Sequence, residues 1–279
     1  MWVGQQLADG LDFWGFLGSL ILGGIILGIY TGLLGYVGAK TGLSLDLLSQ
    51  RAFGEKGSYL PSAMTSFTQI GWFGVGSFVS GGTATPNFAR FAKDGKAGAI
   101  TTVVAFFIGN SLMFFFGAVS SIFVGGNDIF EVMVRLNLFY LAVLVLGLNI
   151  WTTNDNALYT AGLGLANIFH QRKKPMVLLS GIIGTVASVW LYYNFCGWLN
   201  ILNCTLPPVG TILVLAYFMN KEDFETDQPK LKTIDWFAVA GVILGAIVAN
   251  LLHWGIASIN GMVVAAVCYC VGQAVNKRK

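Results

Sequence analysis

Long apolar runs separated by short polar turns set the rhythm of this chain. A membrane-spanning helix needs about 20 mainly apolar residues. Runs of that length lie at 11–39, 97–124, 136–169, 175–194, 195–219, 233–252 and 256–275. The pattern predicts an all-α integral membrane protein, a polytopic helical bundle of about seven spans, with 1–279 forming a single transmembrane domain. One run is interrupted. Within 136–169 the apolar stretch ending at Leu148 gives way to Asn149-Ile-Trp-Thr-Thr-Asn-Asp-Asn156 before apolar residues resume at Ala157. Polar groups at bilayer depth are costly and face a protein interior or a water-filled pathway. The sequence therefore places a solute or ion site here, and the chain reads as a transporter.

Segment 59–91 departs from the rhythm differently. It is rich in Gly, Ser and Thr and carries Pro61 and Pro86. Lysine and arginine favour cytoplasmic loops, and the connections 40–56, 90–96, 172–174, 221–232 and 277–279 are basic. The connections 125–131, around Asn194, and 252–260 are acidic or uncharged, with Arg135 the one basic residue on the opposing side. The C-terminus is thereby predicted inside and the N-terminus, with Asp9 and Asp12, outside. Both flanks of 59–91 are basic, so this segment enters and leaves on one face. Its 33 residues fall short of two crossings, which take about 40 plus a turn. It is predicted to be a re-entrant hairpin, bent near Gly71–Phe78 where glycines tolerate sharp geometry, or else a place where membrane helices are missing.

Composition narrows the function classes. Only 10% of residues are charged and 55% are hydrophobic, whereas soluble domains carry about 25% charge; this chain cannot cover a water-facing surface. The net charge of +3 sits in short loops and so reports topology, not a nucleic-acid footprint. Cys196, Cys204, Cys268 and Cys270 lie in or beside apolar runs without metal spacing to histidine, and no disulfide framework is expected. The first apolar run continues to Ala39, too long for a cleavable leader. Phosphate loops, nucleophile elbows and metal-binding motifs are missing from the sequence, so no catalytic residue is assigned and the chain does not read as an enzyme. His170, beside Arg172 and Lys173, reads as a solvated loop residue. His253 with Trp254 reads as an interfacial pair, and Pro207-Pro208 as a kink.

The candidate chemistry lies in two constellations. On a helix Asn149, Thr152, Thr153 and Asn156 fall at i, i+3, i+4 and i+7, one continuous face. Hydroxyl and carbonyl oxygens suit a hard cation, and a break in the helix would free further carbonyls; the alternative is ordinary interhelical hydrogen bonding. Asp155 is the only acid deep in these spans, a cation or proton partner or a structural hydrogen-bond acceptor. The second constellation is Gln69-Ile-Gly-Trp72 followed by Ser77-Phe-Val-Ser80. Aromatics on both sides of a glycine-lined gap can sandwich a flat heterocycle, and amides such as Gln69 or Asn154 can pair with its edge. Ordinary bundle packing is the alternative.

Several runs together carry a resemblance: Gly28-Ile-Tyr-Thr31, Gly35-Tyr-Val-Gly-Ala-Lys-Thr-Gly42, Gln69-Ile-Gly-Trp-Phe-Gly-Val-Gly76, Phe107-Ile-Gly-Asn-Ser-Leu-Met-Phe114 and Gly147-Leu-Asn-Ile-Trp-Thr-Thr-Asn-Asp-Asn-Ala-Leu-Tyr159, with Gly181-Ile-Ile-Gly-Thr185 and Pro207-Pro-Val-Gly210. Through them the chain resembles the nucleobase:cation symporter-1 family over nearly its whole length. The resemblance implies a leucine-transporter-type fold of inverted repeats, with substrate near the midplane between discontinuous helices. It implies cation-coupled import of cytosine across a bacterial cytoplasmic membrane, with purine, uracil, hydantoin or allantoin as rival substrates. Cytosine would stack between Trp72 and Phe78 and bond to Gln69, Ser77 or Ser80, and Asn154. Sodium, or a proton in its place, would couple transport, with sodium held by the Thr152 and Thr153 hydroxyls and the Asn149 carbonyl.

The departures from the family are internal and N-terminal. Met1-Trp2 matches the middle of the family's first helix, and at Gly74-Val-Gly-Ser77 the third-helix motif runs directly into the sixth-helix motif. The end of the third helix, the fourth and fifth, and the start of the sixth have no counterpart. A partial inverted-repeat fold is therefore expected, and a non-transporting, internally deleted remnant that inserts without cycling is the alternative function. Oligomeric state is not legible from the sequence.

Overall fold

A computed structural model of the chain describes residues 12–75, 81–125, 129–226, 229, 231–252 and 254–276; the secondary structure of these residues is entirely helical. In chain order the helices are α1 (Phe13–Thr41), α2 (Leu45–Phe53), α3 (Tyr59–Val75), α4 (Gly81–Ala84), α5 (Pro86–Ala89), α6 (Gly95–Val124) and α7 (Ile129–Arg135). They continue as α8 (Phe139–Phe169), α9 (Lys173–Tyr193), α10 (Phe195–Met219), α11 (Lys221–Glu225), α12 (Trp236–Leu251) and α13 (Ala257–Asn276). The seven runs read from the sequence correspond to α1, α6, α8, α9, α10, α12 and α13. Among the described residues, five of these (α1, α6, α9, α10 and α13) are long and apolar enough to cross a membrane, and α12 is a shorter apolar helix.

Local chemistry fixes the ends. The Asp12 carboxylate accepts from the Gly15 N–H at 3.1 Å and starts α1. Gly42 stops it at φ 68°, with its N–H on the Gly38 carbonyl, a left-handed cap that glycine adopts without a Cβ penalty. Ser44 then caps α2, whose buried side is Leu45, Leu48, Ala52 and Phe53. The opposite end of α2 is pinned to the strap before α12, since Asp235 N–H donates to the Phe53 carbonyl at 2.6 Å.

The main core surrounds α10 toward the inner face. Val209, Ile212, Leu213 and Ala216 are buried among Leu34 and Val37 of α1, the apolar side of α2, and Ala265 and Tyr269 of α13. Burying this much apolar side chain at the ends where helices meet loops contributes on the order of 2 kcal/mol for each large residue. Elsewhere helices approach through small residues, as is usual in lipid. A Cβ on Gly35 of α1 would lie 3.0 Å from the Gly98 carbonyl oxygen of α6, and one on Gly164 of α8 would collide with the Ser66 hydroxyl of α3. Pro207 and Pro208 lie inside the continuous helix α10. The Pro208 ring sits where a Cβ on Gly245 (α12) or Gly261 (α13) would come within 3.3 Å, so glycines make room for it.

Two sequence expectations meet the structure at this point. First, the break allowed for in 136–169 is not there: α8 runs unbroken for 31 residues. The Thr152 hydroxyl turns back onto the Leu148 and Asn149 carbonyls at 3.2 and 3.1 Å, so this polar residue is accommodated without unwinding the helix. Second, the two limbs of 59–91 end on the same short helix. At the start of α3 the Ser62 hydroxyl donates to Asp46 Oδ1 at 2.6 Å; on the returning limb Asn87 Oδ1 accepts from the Leu45 N–H at 2.8 Å. Both limbs therefore meet at the same end of the bundle, as either reading of 59–91 requires; residues 76–80 of the bend predicted near Gly71–Phe78 lie outside the described residues. The described part of α3 has 17 residues, about 25 Å at 1.5 Å per residue. Arg135, the basic residue on the outer side, is paired with Glu131 at 2.6 Å one turn away on α7, which offsets its charge.

Candidate functional site

Between α3, the α4–α5 limb, α6 and α8 lies a cavity of about 860 Å³. Gln69 of α3 projects into it and is 6% exposed. α8 contributes Thr153, Asn156, Ala157 and Thr160, a stripe at i, i+3, i+4 and i+7. α6 contributes Thr101, Thr102, Phe106 and Asn110, and the returning limb Phe88 and Phe91. Among the described residues the lining holds amides, hydroxyls and aromatic rings and no ionisable side chain. Such a surface suits a neutral, flat, hydrogen-bonding ligand better than an ion of either sign.

One group in the cavity is unpaid for within the chain. The Thr160 hydroxyl is buried, its residue 2% exposed, and Oγ1 has no hydrogen-bond partner. A buried hydroxyl without a partner loses its hydration for nothing in return, and this oxygen is enclosed by its neighbours, with no accessible surface toward the cavity. Thr102, by contrast, is satisfied by the Gly98 carbonyl at 2.7 Å.

The predicted site residues divide into three groups. Gln69 and Thr153 meet across the cavity, and Asn156 joins them. Asn149 and Thr152 are exposed and Asn154 is half-buried, and none of the three lines the cavity. Asp155 is exposed as well. Thr152 spends its hydroxyl on its own helix, so the three proposed sodium ligands stand on one unbroken helix with only Thr153 turned to the cavity. Ser77, Phe78 and Ser80 lie outside the described residues; Trp72 belongs to α3, but its side chain lies outside them too. The sequence reading missed Thr160, Asn110 and the aromatic set Phe88, Phe91 and Phe106. Thr160 was within reach: extending the α8 stripe 149, 153, 156 by one more turn lands on it. The aromatics of the returning limb carried no signal, because they look like ordinary apolar packing.

The inner end of the cavity is tied by a polar network. Asn167 Nδ2 donates to the Ser58 and Ser62 hydroxyls at 3.1 and 2.9 Å, and Gln50 Nε2 donates to Asn167 Oδ1 at 2.6 Å. Arg90 donates to the Tyr159 hydroxyl at 2.5 Å, and the Lys173 ammonium sits 3.5 Å over the Tyr159 ring. α2 does not span the bilayer, and burial there pushes Asp46 up from its ordinary 3.8 to about 6, opposed by the Ser62 hydroxyl and the nearby Arg90 charge. The network joins α2, both limbs of the hairpin and α8.

Comparison with known proteins bears on what fills the cavity. The sequence profile of a family described as permease for cytosine/purines, uracil, thiamine, allantoin matches in two pieces, residues 1–84 and 74–275. The cytosine permease of Escherichia coli K12 is 35% identical over 372 aligned positions, covering 100% of this chain and 88% of the relative. The cytosine permease of Escherichia coli O157:H7 matches to the same extent. The allantoin permease of Bacillus subtilis is 34% identical over 82 residues, 29% of this chain and 16% of the relative.

Proposed function

The chain belongs to the permease family for cytosine, purines, uracil, thiamine and allantoin, and from that premise we propose that the cavity between α3, α6 and α8 is a cytosine site serving import across the membrane. The protein is a multi-pass protein of a bacterial inner membrane. The observation that carries the substrate reading is the cavity lining: among the described residues, an uncharged, partly aromatic surface lined by Gln69, Thr153 and Asn156. Cytosine is neutral at physiological pH and presents adjacent donors and acceptors on one edge, which an amide side chain pairs with in two bonds. Gln69 serves as that amide in our reading, and Trp72 as one stacking face. The resemblance adds Phe78 as the other face and Ser77, Ser80 and Asn154 as further contacts.

Sodium is the proposed coupling ion. Its support is the resemblance together with the oxygen set on α8, where Thr153 borders the cavity and the Asn149 carbonyl and Thr152 hydroxyl lie within one turn. A hard cation takes its oxygens from several elements, so α8 supplies part of a ligand set only. The remnant reading has its own support, since 372 aligned positions against 279 residues leave at least 93 positions of the alignment without a residue of this chain.

Uptake of labelled cytosine in cells lacking their own permease separates the two, with insertion of the chain verified and sodium varied. Saturable, sodium-dependent uptake that is lost in Trp72→Ala and Thr153→Ala supports import. Absence of uptake from a well-inserted chain sinks the import reading and leaves the remnant.

A further inference from the structure

The polar groups that α6 turns toward the cavity are not equivalent. Thr101, Thr102, Phe106 and Asn110 line it at the spacing of one helical face. Thr101 is exposed, and Thr102 is buried with its hydroxyl on the Gly98 carbonyl at 2.7 Å. Asn110 differs from both. It is 9% exposed, and its amide makes no hydrogen bond to any of the described residues. Unlike the enclosed Thr160 oxygen, its polar atoms keep accessible surface. A side-chain amide carries two N–H donors and a carbonyl acceptor. Buried amides as a rule find partners within the protein, and lipid tails offer none. What pairs with Asn110 therefore enters through the cavity.

Gln69 is its counterpart on another wall. Its amide also makes no hydrogen bond to a described residue, and it too is buried at the cavity's edge. α3 packs on α8, whereas α6 packs on α1, so the two amides reach the cavity from different sides. Cytosine has two sides that an amide can read. Its exocyclic amino group donates beside an imino nitrogen acceptor, and its ring N–H donates beside the carbonyl acceptor. Each of these pairs matches the acceptor and donor of one amide group. A lone amide would read one side and leave the other stripped of water without a partner, at a loss of affinity.

Resting on the cytosine reading, we propose that Asn110 of α6 is a specificity-determining contact of this site, reading one donor–acceptor side of the base while Gln69 reads the other. Phe106 lies one turn before Asn110 on the same face and offers the ring a flat apolar surface beside it. Held at two sides, the base loses affinity when a methyl group replaces a hydrogen on either of them.

The test is equilibrium binding to the purified full chain in lipid nanodiscs. The probes are cytosine, 1-methylcytosine, which lacks the ring N–H, and cytosine dimethylated on its exocyclic nitrogen, which lacks the amino donors. The wild type is expected to bind each methylated probe about tenfold or more weaker than cytosine. Asn110→Ala is expected to weaken cytosine about tenfold, to erase the penalty against one methylated probe and to keep the other; Gln69→Ala gives the converse pattern. Because Asn110 bonds to no described residue, the alanine removes no contact of the fold. Size exclusion checks this, and Asn110→Ser repeats the measurement if the alanine chain is not monodisperse. A merely structural role for Asn110 gives equal weakening of all three probes. That result, or cytosine affinity within about threefold of wild type, overturns the proposal and leaves the cytosine reading standing. No saturable cytosine binding to a folded wild-type chain overturns the cytosine reading and this contact with it.

Discussion

The two halves of α8 are one helix in two environments. From Ala157 inward it is held: Ala157, Thr160 and Ala161 are buried, Gly164 sits against Ser66, and Asn167 bonds to both Ser58 and Ser62. From Asn156 outward most side chains are exposed, apolar and polar alike. α3 supplies the covering surface for the inner half, through Ser62 and Ser66 and, just before its start, Ser58. Helical pattern alone therefore does not fix burial. A polar face is covered or bare according to which neighbour the chain provides.

The sharpest way to break this comparison is to put the same change into both halves. A leucine at Gly164 meets the Ser66 hydroxyl and, at 2.8 Å, the Ser62 backbone oxygen, whereas a Cβ at Gly147 meets nothing within 4 Å. Gly164→Leu is expected to cost about 3 kcal/mol or to abolish folded yield, and Gly147→Leu to stay within about 0.5 kcal/mol. Thermal unfolding in detergent measures both. Equal losses at the two positions would mean the outer half is packed in the membrane after all.

Thr160→Val comes next, and it separates binding from folding. Replacing an unpartnered buried hydroxyl by a methyl of the same shape is neutral to stabilising, by up to about 1 kcal/mol, while cytosine affinity is expected to change by less than about threefold, because the enclosed oxygen offers a ligand no surface. Equilibrium binding and unfolding on the same preparation read the two together.

Asp46 sharpens the inner side of the comparison through pH. Its carboxyl is raised from 3.8 to about 6 by burial, so between those values the folded state holds more proton than the unfolded one. Stability contributed by the neutral acid is then complete below about pH 4 and is lost as pH rises toward 6, after which it levels off. Asp46→Asn is expected to remove that slope, measured as the change in unfolding midpoint across pH 4–7; an unchanged slope would place the titration elsewhere. The smallest effect is expected at the outer end. The Glu131–Arg135 pair is exposed on both sides, and Arg135→Ala should shift stability by no more than about 0.5 kcal/mol.

Much of the fold was legible because lipid imposes it. Apolar length located α1, α6, α9, α10 and α13. What misled was the polar cluster of α8. Asn, Thr and Asp in mid-span suggested a broken helix, but Thr152 can satisfy itself on the carbonyls of Leu148 and Asn149, and no sequence pattern distinguishes that from unwinding. The cavity was half legible. Gln69, Thr153 and Asn156 announced themselves as polar residues in apolar surroundings, whereas Phe88 and Phe91 became site residues only because the returning limb brings them to the cavity, and Phe106 because α6 does.

The most direct test of the account is equilibrium binding of labelled cytosine to the purified chain in lipid nanodiscs, comparing the wild type with Gln69→Ala and with Gly147→Leu. Saturable binding that survives Gly147→Leu and is weakened about tenfold or more by Gln69→Ala is the predicted result. Saturable binding indifferent to Gln69→Ala, or none to a chain that is folded and monodisperse, would contradict the claim that this cavity is a cytosine site.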